Sequence, residues 1–214
     1  MSTPYSLTII NDSSLDQTFA IFTTLPVSGS YGSMSMAWFS QVIDAGNRYT
    51  YDWSIEWGLA CTNVGTTAGT KWVGTSRLAV APRSAAGSGA RLTHDGDYAL
   101  RPEVGPGTGD TLVVTDDPNL PKPPEGTKGA LCSVAVTLDG QPVCAVDGGR
   151  NLQQTFTLTP TYFIDAGSYE KGQMVSGASV TSFQPLPFVD GATSLAAVLT
   201  DDNLWSVGTV IPLD

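Results

Sequence analysis

The residues best able to do chemistry are a histidine and two carboxylates at one tight turn, His94, Asp95 and Asp97, with Gly96 between the acids. One imidazole and two carboxylates offer nitrogen and hard oxygen ligands. With help from elsewhere in the chain such a set would hold a copper or calcium ion. Asp-Gly is also the strongest short signal for a β-hairpin, so the same tripeptide reads as a turn between Leu92 and Tyr98. Catalytic alternatives are narrowed by counting. His94 is the single histidine, so any Ser/His/Asp or Cys/His arrangement must use it as the base, and no Gly-x-Ser-x-Gly elbow accompanies it. Asp52 and Glu56 share a strand face but would stand about 13 Å apart, too far for a glycosidase pair. Gly105, Gly107 and Gly109 lack the lysine and following helix of a phosphate loop. No Cys-x-x-Cys is present, and a second histidine for zinc is missing. A non-enzymatic protein is the expectation.

Aromatic side chains supply the second kind of candidate. Trp38, Trp53, Trp57 and Trp72 fall in the first third of the chain. Exposed rings on a sheet stack on sugars or apolar ligands, whereas rings on the apolar parity of a strand build a core. Trp57, Trp72 and Tyr98 are the ligand-binding candidates, for a small apolar or sugar molecule.

The elements that must position these residues are strands. From Arg48 to Thr62 bulky residues alternate with small or polar ones, Tyr49, Tyr51, Trp53, Ile55, Trp57, Leu59 and Cys61 on one parity. This predicts one long two-faced strand with the rings inward and the other parity in water. A straight strand from Arg48 to Cys61 would reach about 46 Å, so a bend is expected at Gly58. Further strands are predicted over Tyr5–Ile9 and Phe19–Ile21, paired as a hairpin, over Lys71–Val80, Thr111–Thr115 and Gln173–Phe183, and over most of the last third. Asp139-Gly140 marks another hairpin. In a regular two-residue turn register, Cys144 would face Ala135 and Cys132 would face Asp147. The thiols would then point to opposite faces and not bridge.

Composition agrees with an all-β reading. The 214 residues include 23 glycines and 14 prolines, and only 14% are charged, the usage of short strands joined by turns. The fold expected is an antiparallel β-sandwich of about ten to twelve strands, one domain over 1–214, with a Pro-rich loop at 116–129. Net charge is −10, and the ten basic residues are scattered singly, which excludes nucleic acid and disfavours anionic membranes as partners. No run of about 18 apolar residues is present to span a bilayer. The N-terminus lacks the basic and apolar regions of a secretory signal, so retention in the cytoplasm or export by another route is expected. Self-association through a strand edge is the alternative role, giving a homo-oligomer or an extracellular interaction protein.

Five stretches together carry a resemblance: Tyr5 to Ser14, Met36 to Ser40, Tyr51 to Trp57, Tyr162 to Tyr169 with Gly172, and Asp202 to Ser206. They resemble a bacterial family that includes the rhizosphere-expressed protein of rhizobia, and are similar to the copper-repressible, copper-binding surface protein of methanotrophs. The resemblance implies an all-β fold and a bacterial accessory protein. The copper relatives use two histidines and an oxidised tryptophan, whereas this chain has His94 alone and no Trp-x-His.

Overall fold

A computed structural model describes residues 4–30, 32–126 and 129–209. Its strands, in order, are β1 (Pro4–Asp12), β2 (Gln17–Thr24), β3 (Val27–Ser28), β4 (Met34–Met36), β5 (Phe39–Ile43), β6 (Arg48–Ser54), β7 (Trp57–Thr62), β8 (Ser76–Ala79), β9 (Gly89–Asp95) and β10 (Asp97–Glu103). The chain continues through β11 (Thr111–Asp116), β12 (Ser133–Leu138), β13 (Gln141–Asp147), β14 (Gln153–Thr157), β15 (Thr161–Ala166), β16 (Met174–Ser176), the one-turn helix α1 (Gly177–Val180), β17 (Gln184–Leu186), β18 (Ser194–Thr200) and β19 (Trp205–Thr209). The all-β expectation holds. The strands are more numerous than ten to twelve because several expected long ones are cut short.

Four sheets form, in the orders β19-β18-β1-β6, β10-β9-β11-β14-β3, β16-β4-β13-β12-β7-β8 and β17-β15-β2-β5. Most pairs are antiparallel, but β1 with β18 and β9 with β11 run parallel. The main core takes Leu7 and Ile9 from the first sheet, Leu92 and Leu112 from the second, Val134 and Val136 from the six-stranded sheet, and Phe19 and Ile21 from the last. The six-stranded sheet also buries its other face, under a smaller cluster of Met36, Ala60, Trp72, Ala135, Ala145 and Met174. Strand β12 is accordingly buried at every residue. Such two-sided burial removes the polar-out parity that a half-exposed strand shows.

Several expectations are corrected here. The stretch from Arg48 to Thr62 is two strands in different sheets, with the break at Ile55 and Glu56 rather than a bend at Gly58. Pairing explains the break: β6 follows β1, whereas β7 follows β12, and the Glu56 carbonyl accepts from Asp139 N at 2.9 Å. Gly58 instead permits close strand approach, since a Cβ there would stand 2.4 Å from Thr137 Oγ1. The ring parity is buried unevenly: Tyr49 is 40% exposed, while Trp53 is buried, stacked on Tyr5 at 5.7 Å and edge-on to Trp38 at 5.4 Å. Nor does the opposite parity meet water beyond the break, because Ala60 and Thr62 are buried.

The first two strands are not a hairpin. β1 pairs with β18 and β6, and β2 with β15 and β5, so the Asn11–Ser14 turn carries the chain from one sheet to another. Asn11 is buried at this crossing and its side-chain amide donates to Leu15 O and Ile43 O. Of the strand expected over Lys71–Val80 only Ser76–Ala79 forms, and Gln173–Phe183 divides into β16 and α1.

The hairpin at Asp139-Gly140 is present, with both φ angles positive (48° and 71°) as its two-residue turn requires. A register shift between Val136 and Thr137 offsets the pairing farther from the turn, so that Cys144 faces Val136 and Asp147 faces Ser133. Cys132 and Cys144 thus lie toward the same core, separated by several residues along the sheet, instead of on opposite faces. All three cysteines are free and buried, so the absence of a bridge stands for a different reason.

Candidate functional site

The structure scatters the expected ligand residues and assembles an unforeseen group around one of them. The loop from Gly69 to Trp72 runs against Gly172–Met174, through an isolated bridge between Lys71 and Gln173 and the bonds Trp72 N to Gly172 O (2.9 Å) and Met174 N to Thr70 O (2.8 Å). Gly172 N in turn donates to Ala37 O at 2.8 Å. Gly172 has φ +86°, where a side chain would be strained, although a Cβ there would meet Lys71 Cγ only at van der Waals contact, 3.4 Å.

Docking of this loop lays the Trp72 indole on the outer face of the six-stranded sheet. Direct register places Arg77, Ala60, Ala135 and Ala145 in one row across β8, β7, β12 and β13. Three successive alanines leave space for a large ring, and Trp72, Ala60, Ala135 and Ala145 pack as one cluster. The indole N–H donates to Ser133 Oγ at 2.8 Å, and that hydroxyl donates to Val64 O at 2.8 Å. Both polar groups of this buried pair are therefore satisfied.

A cavity of about 230 Å³ opens at this point, with Trp72, Val73 and Pro142 as apolar walls and Lys71, Arg77, Gln141 and Lys171 around it. The three cations are exposed, and no carboxylate lines the cavity. Arg77 reaches over the hairpin tip, its Nη1 donating to Gly140 O at 3.0 Å. Lys171 lies 100 residues beyond Lys71, and no local pattern announces that it meets Lys71 and Arg77.

The other candidates lie elsewhere. Trp57 lines a wider hollow of about 500 Å³ with Ile55, Pro82 and Arg83. Tyr98 is buried in the main core, its ring 4.7 Å from that of His94 on the neighbouring strand. His94, Asp95 and Asp97 occupy the exposed tip of the β9–β10 hairpin. Among the described residues no three His, Cys, Asp or Glu side chains are grouped so as to hold a metal ion.

The three thiols are poorly prepared as nucleophiles. Burial pushes the Cys61 thiol up to about 11 and the Cys132 and Cys144 thiols up to about 12, so each is held as the unreactive thiol. A disulfide-exchange reagent at pH 8 is expected to label none of the three in the native protein within minutes and all three after denaturation. Rapid labelling of any one in the native state would refute this burial.

One buried acid stands apart. Asp116, 1% exposed, ends β11 beneath the Pro-rich loop, whose first half is anchored by buried Leu120. Asp116 Oδ2 accepts from Gly149 N (2.7 Å) and Gln154 Nε2 (2.9 Å). Its Oδ1 and the Gln154 Oε1 are both buried without a donor. Desolvation outweighs those two hydrogen bonds and pushes the carboxyl up to about 6. Residues 127–128 of this loop lie outside the described residues.

Likeness to known proteins extends over nearly the whole chain. The family model RhiA matches residues 2–209. The protein RhiA of Rhizobium leguminosarum bv. viciae is 27% identical over 212 residues, covering 96% of this chain and 86% of that protein. No solved structure matches the chain.

Proposed function

The chain belongs to the RhiA family, and from that premise and the cavity beside Trp72 we propose that it is a non-enzymatic protein that binds a small molecule. The observation that carries this reading is the built character of the cavity. A buried indole with its N–H satisfied, a row of alanines beneath it and a left-handed glycine beside it hold walls drawn from four separate stretches of chain. Apolar walls with a few convergent polar groups are the usual composition of a small-molecule site. Support for a binding role over a catalytic one comes from the three thiols, each raised well above neutral pH, and from the single histidine, which lies at a hairpin tip away from this cavity.

The test is a titration of the ¹⁵N-labelled protein with a panel of sugars, aromatic alcohols and organic acids. Saturable shifts are expected to gather at residues 71–77, 140–142 and 170–173. If no compound of any charge perturbs those residues saturably, the reading fails. Shifts centred on Trp57 and Arg83 would move the site to the wider hollow.

A further inference from the structure

We infer that the cavity walled by Trp72 takes a small organic anion, held by Lys71, Arg77 and Lys171. The inference rests on the small-molecule reading above and adds the ligand's chemistry. The chain carries 20 acidic residues against ten basic ones, yet three of the ten surround this one cavity and no carboxylate lines it. None of the three has an ion-pair partner among the described residues, where the only side-chain ion pair is Arg91 with Glu103. Gathering like charges raises the energy of the empty site, and a bound anion reverses the sign of that interaction. The net charge of −10 repels an anion from the molecule as a whole, so a local gathering of three cations favours this place.

The backbone holds the three cations together independently of any ligand. The Lys71–Gln173 bridge and the Trp72 N to Gly172 O bond join the two lysine-bearing segments antiparallel, with Lys171 diagonal to Lys71 and both lining the one cavity. Arg77 is oriented by its bond to Gly140 O through Nη1, which leaves its other N–H groups for an oxyanion. Gln141 adds a neutral amide at the same rim. The Val73, Pro142 and Trp72 walls have no use for a bare inorganic ion, and they fit a compact apolar portion such as one ring. A space of about 230 Å³ admits a molecule of that size. A carboxylate and a phosphate monoester share the required chemistry.

Calorimetry and NMR titrations with phenyl phosphate, benzoate and neutral benzyl alcohol distinguish the possibilities. Phenyl phosphate or benzoate is expected to bind about tenfold or more tighter than benzyl alcohol, and the tighter of the two identifies phosphate or carboxylate as the preferred group. Affinity for the anion is expected to fall several-fold as salt is raised, because the cations are exposed and screened. The double variant Lys71→Gln/Lys171→Gln is expected to lose about tenfold in anion affinity, with Arg77→Gln acting in the same direction, while benzyl alcohol is unaffected. All three side chains are exposed, and an unchanged melting temperature verifies that the variants fold. Equal binding of benzyl alcohol, or anion binding that survives loss of both lysines, overturns the anion inference and leaves the small-molecule reading standing. Failure of every probe to give saturable shifts at residues 71–77, 140–142 and 170–173 overturns both.

Discussion

Replacing Trp72 by alanine is expected to destabilise the protein by about 3–5 kcal/mol, the range for deleting a large buried aromatic side chain. For a chain of this length that corresponds to a fall in melting temperature of about 10–15 °C. The reason is structural. The indole, 3% exposed, is the largest member of the cluster covering the outer face of the six-stranded sheet, and beneath it lie Ala60, Ala135 and Ala145, which are too small to close the space. Its removal also leaves Ser133 Oγ without the donor it now receives at 2.8 Å. Trp72→Phe separates the two contributions, keeping most of the ring while deleting the N–H, and is expected to cost about 1–2 kcal/mol. Denaturant unfolding of the two variants measures both. A loss below about 1 kcal/mol for Trp72→Ala would mean that the loop from Gly69 to Trp72 is not docked on the sheet, and the cavity would lose its wall.

The protein is also expected to gain stability as pH falls from 7 toward 4, against the usual acid trend, through Asp116. The carboxyl titrates near 6 in the folded chain against 3.8 for an ordinary aspartate. A raised carboxyl binds its proton more tightly in the folded state, so the unfolded chain holds fewer protons between these values and stability declines as pH rises through them. That separation corresponds to about 3 kcal/mol once Asp116 is ionised above pH 6. The opposite contribution comes from Asp110 and Asp201. Hydrogen bonds from the Thr108 hydroxyl and from the Ser14 hydroxyl hold these exposed carboxyls below their ordinary value, so what they add is lost only in stronger acid.

Asp116→Asn isolates the effect. The amide cannot ionise, and it replaces one carboxylate oxygen, Oδ1 being buried without a donor, with an N–H donor beside Gln154, whose Oε1 has none. The variant is expected to be about 1–3 kcal/mol more stable than the parent at pH 7 and to show a flatter profile between pH 4 and 6. Unfolding at a series of pH values reads both. A variant less stable than the parent at pH 7 would show that the two donors on Oδ2 stabilise the carboxylate more than burial opposes it.

Much of the local structure was legible in the residues. Asp139-Gly140 turns a two-residue hairpin because aspartate and glycine both reach the positive φ it demands, whereas at the β9–β10 hairpin Asp95 faces Asp97 and Gly96 alone takes a positive φ (79°); both preferences are local. Leu7, Ile9, Leu112 and Val114 are buried on their strands as alternation predicts. What alternation does not carry is the identity of the partner. The run from Arg48 to Thr62 keeps one parity throughout, yet its halves belong to different sheets, because the break is made by β1 and β12, strands distant in sequence. The register shift between Val136 and Thr137, which leaves Val143 unpaired, is equally silent, and it turned the Cys132 and Cys144 thiols toward one core.

Trp72 shows where the candidate site divides between the two kinds of information. A large ring in a strand-rich segment was visible as a candidate, for core or for ligand. Whether it faced outward or inward depended on a loop folding back across a row of alanines from three different strands. The three cations around it looked isolated, because charge along a chain is read over neighbours whereas an electric field is summed over space. By itself, therefore, the sequence determined the all-β class and the two Asp-Gly hairpins, since these depend on residue types and short spacings. Only the tertiary structure decided which strands share a sheet, which faces are covered twice, and that Lys71, Arg77 and Lys171 meet at one cavity, since each depends on contacts between segments that backbone pairing alone brings together.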